Sequence, residues 1–159
     1  MPGMEGGTQR TGPGKEDPLV QAHYYVTFEP HIVDMVFREC SGIGSESEVI
    51  EYKGSTKDDY HTIQAIPGRL KWNKVSLKRG ITSSMAAWNW RKMIEEGKVE
   101  QARANGSIVM VNQEGQEVAR WNFFRAWPSK VVGPTFNSST NEVGIEELEI
   151  VHEKMIRVK

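Results

Sequence analysis

The chain has 159 residues, enough for one substantial core but not two. Its 20 basic and 21 acidic residues are interspersed for a net charge of -1, so no half carries the basic footprint of a nucleic-acid binder. A single cysteine, Cys40, excludes an internal disulfide and a thiolate zinc site within one chain. No segment approaches the roughly 18 consecutive apolar residues of a membrane span.

Residues 1–18 contain five glycines and three prolines without periodicity. Such composition cannot offset its own ordering entropy, so a flexible arm is expected there, with one domain over 19–159. The first residues also lack the basic-then-apolar pattern of a signal peptide, which points to assembly in the cytoplasm. Leu19–Phe28 is rich in β-forming residues and is broken by Glu29-Pro30. Ile32–Glu39 reads as a second strand, followed by a turn at Ser41-Gly42-Ile43-Gly44. Glu48–Tyr52 is a short third strand. Lys53–His61, with the charge run Lys57-Asp58-Asp59 and then Tyr60, reads as a long polar loop. Ile63–Ile66 and Lys74–Lys78 read as two strands separated by Pro67-Gly68.

One region reads as a helix, about residues 83–97. Thr82-Ser83-Ser84 offers N-caps, and Ala86, Trp90, Met93 and Ile94 fall on one stripe. Gly97 is placed to end the helix in the left-handed conformation. A hairpin follows, Ser107–Val111 and Glu117–Arg125 around Asn112–Gln116. Its second strand carries Trp121, Phe123 and Phe124, and the run ends at Ala126-Trp127-Pro128, since proline cannot donate to a ladder. So many aromatics in one strand suggest a chain that completes its burial against copies of itself. Asn141–Val151 reads as a last long strand, with a short one through Met155–Val158. Within the long strand Val143 and Ile145 share one parity while Leu148 and Ile150 share the other. That slip at Glu146-Glu147 predicts a bulge or a strand buried on different faces at its two ends. The sum is a mainly antiparallel β domain with one helix, a sandwich or partly open barrel.

Catalytic machinery does not emerge. His23, His31, His61 and His152 show no HxH or HExxH spacing, so no metal site is expected. There is no GxSxG, P-loop or GxGxxG, and Glu146, Glu147 and Glu149 alternate as the wetted side of a strand does. No catalytic residue, cofactor or metal ligand is assigned, and an enzyme reading has no nucleophile–base–orienter set.

The order of short motifs is more telling. Phe37-x-Glu39-Cys-Ser-Gly42, Glu48-Val-Ile-Glu-Tyr52, Pro67-Gly68, Leu77-Lys-Arg-Gly-Ile-Thr82 and Trp88-x-Trp90 occur in sequence. Gly115-x-Glu-Val-x-Arg120-Trp-x-Phe123, Ala126-Trp-Pro128, Gly133-Pro134 and Asn141-Glu-Val-x-Ile-Glu146-x-Leu-Glu149 follow. Over roughly residues 19–157 this resembles the tube proteins of contractile phage tails. The resemblance is nearest to those of extracellular contractile injection systems of the antifeeding-prophage and Photorhabdus virulence cassette type. It implies a structural protein without turnover, a small β-sandwich with a flanking helix that assembles into hexameric rings stacked as a hollow tube. The implied partners are other copies of the chain, the sheath protein, baseplate or hub and tube-terminator proteins, and tape-measure or effector cargo in the lumen. A wall of about 24 strands tilted by about 40° closes to roughly 45–50 Å across. The finished particle would be extracellular, membrane-anchored or a virion.

The same resemblance places subunit or ring contacts on Lys53, Lys57, Asp58, Asp59 and Tyr60, on Arg79 at the turn into the helix, and on Trp88, Arg120 and Trp127. Two other readings stay open: a tube-initiator or baseplate adaptor of the same fold, and a monomeric ligand-binding β-barrel.

Overall fold

The computed structural model describes residues 23–55, 61–135 and 144–159. The expected arm, Lys57–Tyr60 and Asn141–Val143 lie outside the described residues. In chain order the elements are β1 (His23–Phe28), β2 (Ile32–Phe37), β3 (Glu39–Ser41), β4 (Ser45–Ser55), β5 (His61–Trp72) and β6 (Val75–Gly80). Then come helices α1 (Ala86–Glu95) and α2 (Val99–Ala102), and strands β7 (Ala104–Val111), β8 (Glu117–Val132), β9 (Ile145–Val151) and β10 (Lys154–Arg157).

Eight strands follow the path β2-β1-β7-β8-β9-β6-β3, with β10 beside β8, and every pairing is antiparallel. The path folds over on itself at β8. Residues 117–126 of that strand pair with β7, while Trp127–Val132 pair with β9. The result is a sandwich of two sheets, β2-β1-β7-β8-β10 and β8-β9-β6-β3, sharing one strand. Between them lies a core built from alternate residues of each strand: Val26 and Phe28 of β1, Val75 and Leu77 of β6, Ile108 of β7, Phe123 of β8, and Leu148 and Ile150 of β9. The helix seals one side through Ala87 and Trp90. Trp90 stacks on Phe28 at 5.4 Å between ring centroids and donates its indole N–H to the Ala102 carbonyl at 2.7 Å.

The bend in β8 falls on Arg125, which has a left-handed φ of 51°. A non-glycine residue there is strained. The Asn105 side-chain oxygen steadies it by accepting the Arg125 backbone N–H at 2.9 Å. The guanidinium spans the Glu100 and Glu153 carboxylates at 3.1 Å each, and those two acids hold its pKa above the usual value.

Several expectations are corrected. The β8 strand does not end at Pro128 but runs on to Val132, and β5 runs through Pro67 from His61 to Trp72. Both prolines sit at register shifts, between Pro128 and Lys130 in β8–β9 and opposite the Ser47/Val49 shift in β4–β5. A bulge removes the need for a ladder N–H, so proline is tolerated there. The aromatic run also finds much of its cover within the chain: Phe123 is fully buried, and Trp121, Phe124 and Trp127 are half-buried. Of the expected loop Lys53–His61, Lys53–Ser55 belong to β4 and His61 opens β5. The second strand is divided, since Arg38 lies between β2 and β3.

The helix starts at Ala86, three residues later than expected, and Met85 at its N-cap makes no side-chain cap bond. The Thr82 and Ser84 hydroxyls instead accept the Ser84 and Ala86 N–H groups, bracing the approach to the helix. Its end is as expected, with Gly97 at φ 79° and both wet-side pairs, Arg91–Glu95 and Lys92–Glu96, at 3.9 Å.

Candidate assembly surface

Glu39 to Gly80 forms one long bent hairpin. Its root is the β3–β6 pair within the second sheet, and its outer part is the β4–β5 ribbon. The bend is local chemistry. Gly42 has φ 81°, and a Cβ on it would collide with the Lys74 carbonyl oxygen. Asn73 N–H donates to the Gly44 carbonyl at 3.0 Å just beyond the bend. Past that point β4 and β5 make their main contacts with each other. The paired segment of β4 has 11 residues, about 35 Å of extended chain. A compact chain of this size is roughly 40 Å across.

The ribbon has two faces, set by register. Ser47↔Leu70, Val49↔Pro67 and Lys53↔Ile63 put Val49, Ile63 and Leu70 on one face. Ile50↔Ile66 and Tyr52↔Gln64 put Ile50, Tyr52 and Ile66 on the other. All six are exposed, Val49 at 69% and Ile63 at 63% on the first face, Tyr52 at 58% on the second. Soluble strands put apolar groups on one face and polar groups on the other. A two-stranded ribbon with apolar groups on both is marginal by itself.

At the ribbon's root, Trp72 lies over His152 at 5.6 Å, and Phe123 meets the same imidazole edge-on at 4.9 Å. His152 is buried at 5% exposure. Burial lowers its pKa, opposed by backbone groups of Lys154 and Asn73. A surface hollow of about 800 Å³ opens beside it, walled by Glu46, Glu48, Arg69, Lys71 and Trp72.

The residues singled out from sequence scatter. Lys53 is exposed on the ribbon, on the face of Ile63. Arg79 is not in a turn: it points inward from β6, 8% exposed, with Nε 3.0 Å from the Glu146 carboxylate. The two face each other in the β6–β9 register, and the Arg79 guanidinium lies 5.4 Å over the Phe37 ring. This pair explains the parity slip. Ile145 faces out and Glu146 faces in, so β9 alternates without a bulge against β6, a charge taking the inward place. Trp88 is half-buried near Gly133, Trp127 is half-buried opposite Val151, and Arg120 reaches Ser107 and Glu117 on the outside of the first sheet. The sequence reading missed Val49, Ile50, Ile66 and Leu70 as surface residues. The signal was there in apolar residues of both parities within Glu48–Tyr52 and Ile63–Ile66.

Among the described residues no group of three or more His, Cys, Asp or Glu side chains is arranged to hold a metal ion, and no helix is long and apolar enough to cross a membrane.

A family model, T4-like virus tail tube protein gp19, matches residues 20–156. The chain belongs to this tail tube protein family, and the role it takes from the family is structural. No curated protein matches it. Among solved structures it is similar to a chain of the PVC sheath-tube complex of an extracellular contractile injection system in the extended state. That match has 20% identity and a TM-score of 0.75, covering 89% of this chain and 92% of the other. A chain of the anti-feeding prophage tube-terminating cap matches with 20% identity and a TM-score of 0.76, covering 95% and 97%. Hcp1 from Flavobacterium johnsoniae shares the fold more distantly, at 12% identity, a TM-score of 0.54 and coverage of 86% and 94%.

Proposed function

We propose that this chain is the repeating inner-tube subunit of a contractile injection system or contractile phage tail. Copies close into six-membered rings, and the rings stack into a hollow tube inside a sheath. The observation that carries this reading is the ribbon, 35 Å or so of strand whose exposed apolar side chains have no evident use in a solitary subunit. Covering six such side chains contributes on the order of 1.5 kcal/mol each, against an association cost of roughly 4–15 kcal/mol. Closing strands against neighbours also removes edges that would otherwise invite aggregation.

On this reading the protein is no enzyme. Lys53 and the acid–base run Lys57-Asp58-Asp59 with Tyr60 contact the adjacent subunit or ring, as do Trp88, Arg120 and Trp127. Arg79 acts at the joint indirectly, by holding β6 to β9. The sheath protein, baseplate and terminator are its partners, and tape-measure or effector cargo occupies the lumen. The subunit assembles in the cytoplasm and ends in an extracellular, anchored or virion particle. A tube-terminator or initiator role is the second reading, favoured by the equal likeness to the anti-feeding prophage cap.

Negative-stain microscopy of the purified chain tests both. Stacked rings of uniform diameter are expected. A monodisperse 18 kDa species at high concentration overturns the assembly reading, and single rings that never stack favour the terminator.

A further inference from the structure

A cavity of about 170 Å³ opens where β2 passes into β3, walled by Arg38, Glu39, Lys78, Arg79, Gly80 and Ile145. We infer that it is an oxyanion site, sized and charged for a small free anion of the phosphate class. The site belongs to the single chain, whatever its assembly.

Arg79 gives the wall a guanidinium with unused capacity. It is 8% exposed and donates from Nε to Glu146 at 3.0 Å, while Nη2 is buried without a partner among the described residues. A buried donor left unpaired is costly, and an oxygen acceptor in the cavity relieves that cost. The group is also fixed before any ligand arrives, by Glu146 and by the Phe37 ring 5.4 Å away. A held, planar, permanently charged fork suits the oxygens of phosphate.

Two longer-reaching cations stand at the same joint. The Arg38 backbone N–H donates to the Lys78 carbonyl at 2.9 Å, which ties the β2–β3 passage to β6. Arg38 is exposed and Lys78 half-buried, and neither side chain forms an ion pair among the described residues. The carboxylates opposite Lys78 in register leave it free. Glu147 on β9 accepts the Ser76 hydroxyl at 2.8 Å, and Glu39 on β3 closes no ion pair with it. At the cavity, Arg38, Lys78 and Arg79 stand against Glu39 in the wall and Glu146 behind it, an excess of one positive charge. Water would satisfy Nη2 but would leave that excess unanswered, whereas an anion answers both.

Inorganic phosphate titrated into the full chain, with sodium chloride holding ionic strength constant, tests the site by calorimetry. One saturable site per chain is expected, with a Kd on the order of 1 mM and a melting temperature that climbs with phosphate. Arg38→Gln with Lys78→Gln is expected to weaken phosphate about tenfold or more. Both side chains lie outside the core, so circular dichroism should be unchanged. Each single change, read separately, is expected to weaken binding about threefold, which keeps the test decisive if the double variant unfolds. Lys154→Gln, on the first sheet, is expected to leave the affinity within about twofold. Absence of saturable binding at phosphate on the order of 10 mM overturns the site. So does an affinity that Arg38→Gln and Lys78→Gln leave unchanged, or that Lys154→Gln lowers equally, since either marks a diffuse response to anions.

Discussion

Arg79 and Glu146 form an ion pair inside the sandwich, Nε to carboxylate oxygen 3.0 Å apart, 8% and 2% exposed. Each also keeps one buried polar atom, Arg79 Nη2 and Glu146 Oε1, without a partner. Two charges taken out of water need each other more than the fold needs either one. Glu146→Ala is expected to destabilise the folded chain by about 3–5 kcal/mol, read by chemical denaturation. The joint replacement Arg79→Met with Glu146→Leu is expected to cost far less, or to stabilise. A single variant as stable as the double would contradict this account.

The bend at Gly42 sets where the ribbon points. With φ at 81° and the Lys74 carbonyl where a Cβ would stand, Gly42→Ala must shift that joint. The body core contains nothing from β4 or β5, so the variant is expected to fold with a melting temperature within several degrees of the parent. Tubes should be lost or sharply reduced by negative-stain count. Normal tubes would show that the angle is set elsewhere.

Acid should weaken the fold through His152. Its pKa is lowered in the folded state by burial, from an ordinary value of 6.5. In that window the unfolded chain binds the proton more readily, so stability rises with pH and is lost as pH falls below about 6.5. Melting temperature is expected to drop between pH 7.5 and 5.5. His152→Phe, placed between Trp72 and Phe123, is expected to reduce that slope, and an unchanged slope would move its origin to another group.

Cys40 should be a slow thiol. Burial pushes its pKa up to about 12, which leaves little thiolate at pH 8. The native chain is expected to react with a disulfide reagent at least a hundredfold more slowly than the denatured chain. Comparable rates would place the sulfur at the surface.

The order of strands, the helix with its Gly97 stop, and the β7–β8 hairpin were legible because they rest on local periodicity and turn chemistry. What was misread depends on partners distant in sequence. Pro67 and Pro128 looked like strand ends because a bulge appears only when the facing strand is known. Glu146 looked like a wetted acid or a slip, since its counter-ion lies 67 residues away on β6. The contact residues assigned from resemblance clustered on charges such as Lys53 and Arg79. The exposed apolar groups of the ribbon, on which the proposed assembly surface rests, read as ordinary strand interior until the register showed them on both faces.

One feature of β8 bears on mechanics. Its 16 residues are hydrogen-bonded in the first sheet up to the bend at Arg125 and in the second sheet beyond it. The two layers are thus one covalent backbone at their shared corner, so they cannot slide past each other without breaking ladders on both sides of the bend. A subunit driven end-on through an envelope would meet compression with a stiff corner, and the load entering one layer would pass directly into the other.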